Sequence, residues 1–197
     1  MSSVHNRVTV IIPIAPEETA HQRLLDDLQH WPNEIIVSAD GSRAKSLNTG
    51  ATKSQQQFLW FLHADSHVSS ENLSELAQAL AAQPHALHYF DLAFDGGGLV
   101  AINGIGANIR SRLFGLPYGD QGFCMSKTLF DEIGTYPEDV PYGEDLIFIR
   151  RAKQQGIQLN RIPSKLVTSS RKYRQQGWLK LTLIRWWHMF KLLRYKL

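Results

Sequence analysis

From Arg7 to Ile14 the chain reads RVTVIIPI, a nearly unbroken β-branched run stopped by proline. That pattern predicts a strand buried on both faces. Glu17 to His30 follows with helical spacing, Leu24, Leu25 and Leu28 falling on one side. Glu34 to Ser38 (EIIVS) reads as a second strand closed by the turn signal Asp40-Gly41, and Arg43 to Lys53 as a second helix. Phe58 to Leu62 (FLWFL) is a third apolar run, ending at His63-Ala64-Asp65. Ser70 to Ala82 is a helix with serine at its start and Glu71 and Glu75 near its N-terminus. Strand, helix, strand, helix, strand in this order predicts parallel βαβ units. In such sheets ligands sit beyond the carboxyl ends of the strands, so the polar segments after the three strands are the first places to look for chemistry.

The second half is less regular. Leu87 to Phe94 alternates like a strand, and Leu99 to Phe114 has helical character that Gly104 and Gly106 weaken. Pro117 to Gly122 (PYGDQG) reads as a loop, Gly143 to Gln155 as a helix stopped by Gly156, and Gln158 to Ile162 as a strand. Near the end, Leu179, Leu183, Trp186, Phe190, Leu193 and Leu197 recur at intervals of four and three, an apolar stripe along one side of a helix. Such a stripe either docks on the core or lies on a lipid surface, and both readings stay open.

Composition adds boundaries. A chain of 197 residues with 43% hydrophobic and 20% charged residues is one globular domain with a core, not a disordered segment. One cysteine, Cys124, excludes an intrachain disulfide and suits a reducing compartment. Met1 to Arg7 lacks the pattern of a secretory signal, and no apolar run is long enough to span a bilayer. The expected location is the cytoplasm. Net charge is only +3, yet from Lys165 onward there are nine Lys or Arg and no acid. A tail so biased meets something anionic, and the inner face of the cell membrane is one such surface. Nucleic acid is not expected as a partner.

Four places carry candidate chemistry. Asp65 follows the third strand, with His63 two residues earlier on the same face if the strand continues. A hard divalent cation is commonly held by one or two carboxylates plus substrate phosphates, although an acid here also suits a turn cap. Glu144 and Asp145 open a helix, where negative charge is favoured and a fixed carboxylate can act as a general base. Ordinary helix-start acids look the same. Gly119-Asp120-Gln121-Gly122 offers close backbone approach with both acceptors and donors, as sugar hydroxyls require, or is a plain surface turn. Ser169-Ser170-Arg171-Lys172 offers hydroxyls and cations to a phosphate.

The order of these segments resembles the family 2 glycosyltransferases: Ile11-Ile12-Pro13 with Glu17-Glu18, then Phe61-Leu62-His63-Ala64-Asp65, then Glu144-Asp145. Arg43-Ala44, Asn48-Thr49-Gly50-Ala51, Phe90-Asp91-Leu92, Asn108 with Arg110-Ser111-Arg112, the PYGDQG loop, Arg150-Arg151 and Thr168-Ser169-Ser170-Arg171 resemble one bacterial subfamily. The resemblance covers about residues 8 to 175. It implies an α/β, single-domain, glycosyltransferase A-type fold (Rossmann-like, with a mostly parallel central sheet) over residues 1–175. Residues 176–197 would form a C-terminal basic amphipathic helix, with peripheral membrane contact as one role. It further implies a nucleotide-diphosphate sugar donor, Mg²⁺ or Mn²⁺, and an inverting single displacement onto an acceptor. By that analogy Asp65 and His63 hold the metal, Asp145 is the base and Glu144 supports it. Pro13, Glu17, Asp40, Arg43, Asn48 and Arg171 would bind the donor, and Asp120 and Gln121 the sugar or acceptor.

The sequence departs from that family in three ways. Pro16 stands where asparagine is usual, and His63 replaces the first acid of the Asp-x-Asp metal motif. Asp40-Gly41-Ser42 runs directly into Arg43, about twenty residues short of the family pattern. The shortened region and the basic tail fit a rival reading, a non-catalytic nucleotide- or sugar-binding domain recruited to a membrane. A sugar nucleotidyltransferase is disfavoured because no Gly-rich phosphate loop follows the first strand.

Overall fold

The structure, a computed structural model, describes residues 7–17, 19–31 and 34–194. Glu18 and Leu197 lie outside the described residues, as do the side chains of Trp186, Phe190 and Leu193 in the expected stripe.

Among the described residues seven strands form one sheet: β1 (Val8–Pro13), β2 (Ile35–Ser38), β3 (Phe58–Phe61), β4 (Ser66–His67), β5 (Leu87–Phe94), β6 (Cys124–Ser126) and β7 (Leu159–Thr168). Their order is β2-β1-β3-β6-β5-β7-β4. The long ladders are parallel: β1 with β2, β1 with β3, and β5 with β7. Short β6 and β4 add antiparallel pairings that make the sheet mixed. The helices are α1 (His21–Asp27), α2 (Arg43–Lys53), α3 (Ser70–Ala82), α4 (Leu99–Phe114), α5 (Lys127–Ile133), α6 (Glu144–Gln154), α7 (Arg171–Gln176) and α8 (Trp178–Leu193).

The expected βαβ start is present, and every residue of β1 and β3 is buried. Side chains alternate between two cores, as a pleated strand requires. Ile11, Leu59 and Phe61 join α2, α5 and α6 on one face. Val10, Ile12, Trp60 and Leu62 join α1 and α3 on the other.

Three expectations need correction. The first helix is shorter than the apolar spacing suggested, because Glu17 has a positive φ of 65° that no helix accommodates. Strand β7 does not stop before Pro163 but runs ten residues, Leu159 to Thr168. Its register against β5 jumps from Phe90–Ile162 to Asp91–Lys165, so Pro163 falls in a bulge where no ladder N–H is needed. The short strands β4 and β6 were not expected at all.

The tail is helical, but Leu179 and Leu183, two members of the expected stripe, are both 61% exposed. Leu181 and Leu192 are the described α8 residues that turn inward. Of the expected stripe, the two members with described side chains thus face outward, while α8 itself packs through Leu181 and Leu192.

Candidate active site

The carboxyl ends of β1 and β3, the turn after β2 and the start of α6 surround one cleft. One lobe, about 200 Å³, is lined by Pro13, Gly41, Arg43, His63, Asp65 and Arg171, among others. The second, about 270 Å³, has Tyr118, Asp120, Tyr142 and Asp145 on one side and Arg185, His188 and Leu192 of α8 on the other. Arg43, His63, Asp65 and Lys172 line both lobes, so the two are continuous. Asp65 and Asp145, 80 positions apart in sequence, thus open into the same space.

Gly143 starts α6 in the left-handed region (φ 76°), packed against Leu192 of α8 so closely that a Cβ would collide with it. The turn places Glu144 and Asp145 in the first helical turn, at the positive end of the helix dipole. Asp145 is half-buried and fixed by two backbone donors. Leu146 N–H donates to Oδ1 and Gly119 N–H to Oδ2, both at 2.8 Å. Gly119 opens the 3₁₀ turn Gly119–Gln121. A Cβ there would lie 3.0 Å from His63 Nε2 and 3.3 Å from Asp145 Oδ2, so the turn wedges between the two groups.

Glu144 is buried, and its carboxylate accepts from Arg43 Nε across 101 positions of sequence. Burial alone would lower the Arg43 pKa, but the carboxylates of Asp145 and Glu144 outweigh it and hold the guanidinium charged. Arg43 Nη1 in turn lies 3.5 Å from His63 Nε2. Burial first, then the charges of Arg43, Lys172 and Arg185, push the His63 pKa well below its usual value, leaving the imidazole neutral with a lone pair. Asp65 Oδ1 accepts a long hydrogen bond of 3.4 Å from Thr168 Oγ1.

Asp120 lines the second lobe with Oδ1 buried and, among the described residues, without a hydrogen-bond partner. Burial raises its pKa against the pull of Arg110 and Arg185. Neighbouring Tyr118 is pushed up to about 12, chiefly by burial, and lies under the Arg110 guanidinium at 3.5 Å.

Four expected ligand contacts fall elsewhere. Gln121 is fully buried: its Oε1 accepts from Ser111 Oγ and Tyr118 N, and its Nε2 donates to Phe90 O. With those bonds made it braces β5 and lines neither lobe. Asn48 ties α2 to the segment after α5, donating to Tyr136 O and accepting from Tyr136 N. Asp40 accepts from Ser38 Oγ, and its backbone N–H donates to Ser46 Oγ; it lines neither lobe, although Gly41 does. Glu17 is exposed and likewise lines neither lobe. The Ser169–Lys172 segment reaches the cleft through Lys172 as well as Arg171, whereas sequence reasoning did not assign Tyr142, Arg185 or His188 to it. The Tyr142 and His188 rings stack at 4.1 Å and join α8 to the α6 turn. The density of cations after Lys165 was the signal for Arg185; nothing in the sequence marked the stack.

Among the described residues no three His, Cys, Asp or Glu side chains gather as a self-sufficient metal cage. One carboxylate with a neutral imidazole is a partial donor set, of the kind a divalent cation completes with substrate phosphates. Asp65 and His63 fit that arrangement, and Arg43, Arg171 and Lys172 add positive charge to the same lobe.

No protein-family model and no curated protein matches the chain. Solved structures do. The chain is similar to S. aureus TarS, a glycosyltransferase, with a TM-score of 0.63 at 14% identity over 83% of this chain and 36% of that one. A structure of TarS 1-349 gives a TM-score of 0.62 at 14% identity, covering 83% of this chain and 60% of that one. What the chain shares with TarS is the fold, and it spans only part of the length of either TarS structure.

Proposed function

We propose that the protein is an inverting glycosyltransferase that moves a sugar from a nucleotide-diphosphate donor to an acceptor hydroxyl. The observation that carries this reading is the convergence of Asp65 and Asp145 on one cleft lined with cations. The fold shared with TarS supports it.

In this mechanism the diphosphate lies in the lobe of Arg43, Arg171 and Lys172, with the nucleotide toward Pro13. Asp65 and His63 would hold Mg²⁺ or Mn²⁺, and such a cation would supply positive charge to offset that on the leaving diphosphate. Asp145, held by two N–H groups, takes the proton from the acceptor hydroxyl as its oxygen attacks the anomeric carbon. The bond from that carbon to the phosphate oxygen breaks, the electron pair leaves on the nucleoside diphosphate, and the configuration inverts. Glu144 holds Arg43 against the cleft wall. Asp120, which lines the second lobe, meets a sugar or acceptor hydroxyl.

We place the protein in the cytoplasm, at the inner face of the cell membrane. The buried free thiol of Cys124 and the basic, apolar α8 support that placement. No helix among the described residues is long and apolar enough to cross a membrane.

The test is a panel of nucleotide sugars with and without Mn²⁺, read first by thermal shift and then by nucleotide release. A donor that raises the melting temperature and is slowly hydrolysed or transferred is the expected result. The rival, a binding domain without catalysis, is favoured by the short β2–α2 connection and by Asn48 serving as a strut. It predicts a melting shift with no nucleotide released.

A further inference from the structure

Helix α4 is built inside out for a surface that faces water. Its buried face carries small residues, Gly104, Ala107 and Ser111. A Cβ on Gly104 would sit 3.3 Å from the Leu92 carbonyl oxygen, and Asn108 reaches the Leu92 backbone through both its amide atoms. Close approach to β5 explains the small face. It does not explain the opposite one, where Leu99, Ile102, Ile105, Ile109, Leu113 and Phe114 are 48–73% exposed. Helix α8 repeats the arrangement, with Leu181 and Leu192 inward and Leu179, Leu183 and Trp187 exposed. The two helices touch where Asn103 Nδ2 donates to Thr182 Oγ1 at 3.0 Å, so their apolar faces flank one junction. Scattered exposed apolar residues are ordinary, but a contiguous set of this size marks an interaction surface.

Charge decides the partner. Neither helix contains an acid. Lys180, Lys191 and Arg194 are exposed along α8, with the Lys191 ammonium 5.4 Å from the Trp187 ring. Exposed Arg174 lies on adjoining α7. A second copy of the chain would set cations against the same cations across a two-fold contact. Anionic headgroups would meet them with opposite charge, while the aliphatic side chains and Trp187 enter the headgroup–acyl boundary.

We propose that α4 and α8 together form a peripheral docking surface for an anionic lipid bilayer. This extends the membrane placement proposed above from the tail helix to α4. It is independent of the transferase reading, because binding is measured without donor or turnover. Since the other side of α8 lines the cleft through Arg185, His188 and Leu192, docking would hold the cleft beside the bilayer.

The experiment is co-sedimentation of the full chain with vesicles of phosphatidylcholine, alone or mixed with phosphatidylglycerol. Binding is expected to the mixed vesicles, much weaker to the neutral ones, and reduced by salt. Ile105→Gln/Ile109→Gln and, separately, Lys180→Glu/Lys191→Glu should each weaken it about tenfold or more with melting temperature unchanged, since all four side chains are exposed. Absence of binding to the mixed vesicles overturns the proposal. So does binding that survives the isoleucine changes, which leaves α4 out, or a dimer in ultracentrifugation that those changes disperse, which makes a second copy the occupant.

Discussion

Helices α4 and α6 are both rich in large aliphatic residues, yet they face them in opposite directions. In α6, Leu146, Ile147, Phe148 and Ile149 are all at most 1% exposed. In α4, Leu99, Ile102, Ile105, Ile109, Leu113 and Phe114 are turned to solvent while Gly104, Ala107 and Ser111 are buried. The difference lies in what each helix packs against. Helix α6 lies between two clusters, one against the sheet and one against α8, so it buries apolar side chains on several sides. Helix α4 lies close on β5, where its own Asn108 bonds the strand's backbone. Only small side chains leave room for that contact. Hydrophobicity alone therefore does not tell which face of a helix is inside; the small residues do.

The comparison is broken most sharply by truncation. Phe148→Ala, removing a ring packed on Tyr136 and Phe130 at centroid distances of 4.7 and 5.5 Å, should cost about 3–5 kcal/mol in urea unfolding. Leu113→Ala should stay within about 0.5 kcal/mol. Similar losses at both sites would show that the outer face of α4 is covered in the free protein.

Acid sharpens the picture of the strand beneath α4. His88 of β5 is fully buried, its Nε2 donating to Gln83 O and its Nδ1 accepting from Asn160. Burial lowers its pKa from 6.5 to about 4. The folded state therefore binds the proton less readily than the unfolded chain. Stability is full above pH 6.5 and is lost as pH falls through that value toward 4. The expected loss is about 3 kcal/mol. Urea midpoints at the two ends of the window check it, and His88→Asn should flatten the dependence; parallel curves would remove His88 as the cause.

Two glycine changes probe α4 itself. Gly104→Leu should cost about 1–3 kcal/mol by pushing the helix off Leu92. Gly106→Ala, where a Cβ meets nothing within 4 Å, should stabilise by about 0.5–1 kcal/mol. Thermal unfolding of both variants separates contact from propensity. If Gly104→Leu proved neutral, close packing would not be what fixes the direction of the helix.

The first half of the fold was legible because buried parallel strands write themselves as apolar runs: β1, β2 and β3 lie where RVTVIIPI, EIIVS and FLWFL predict them. Strands β4 and β6, of two and three residues, carry no periodicity to read. Strand β7 runs past the expected Ile162 because the bulge opposite β5 lets Pro163 stay in the ladder. For the site, sequence order brought out Asp65, Asp145, Arg43 and Arg171, which line the cleft. It could not tell inward polar side chains from outward ones. Gln121 and Asn48 look like ligand contacts until their bonds to Phe90 and Tyr136 appear. Nor could it show that Arg43 is held by Glu144, or that α8 supplies a wall of the second lobe.

The account turns on Asp145 as the group that removes the acceptor's proton. Steady-state turnover of Asp145→Asn, measured with the donor that binds and alongside its affinity for that donor, tests this most directly. A fall in kcat of at least about 100-fold with donor affinity nearly unchanged is the predicted result. Turnover equal to that of the unaltered protein would contradict it.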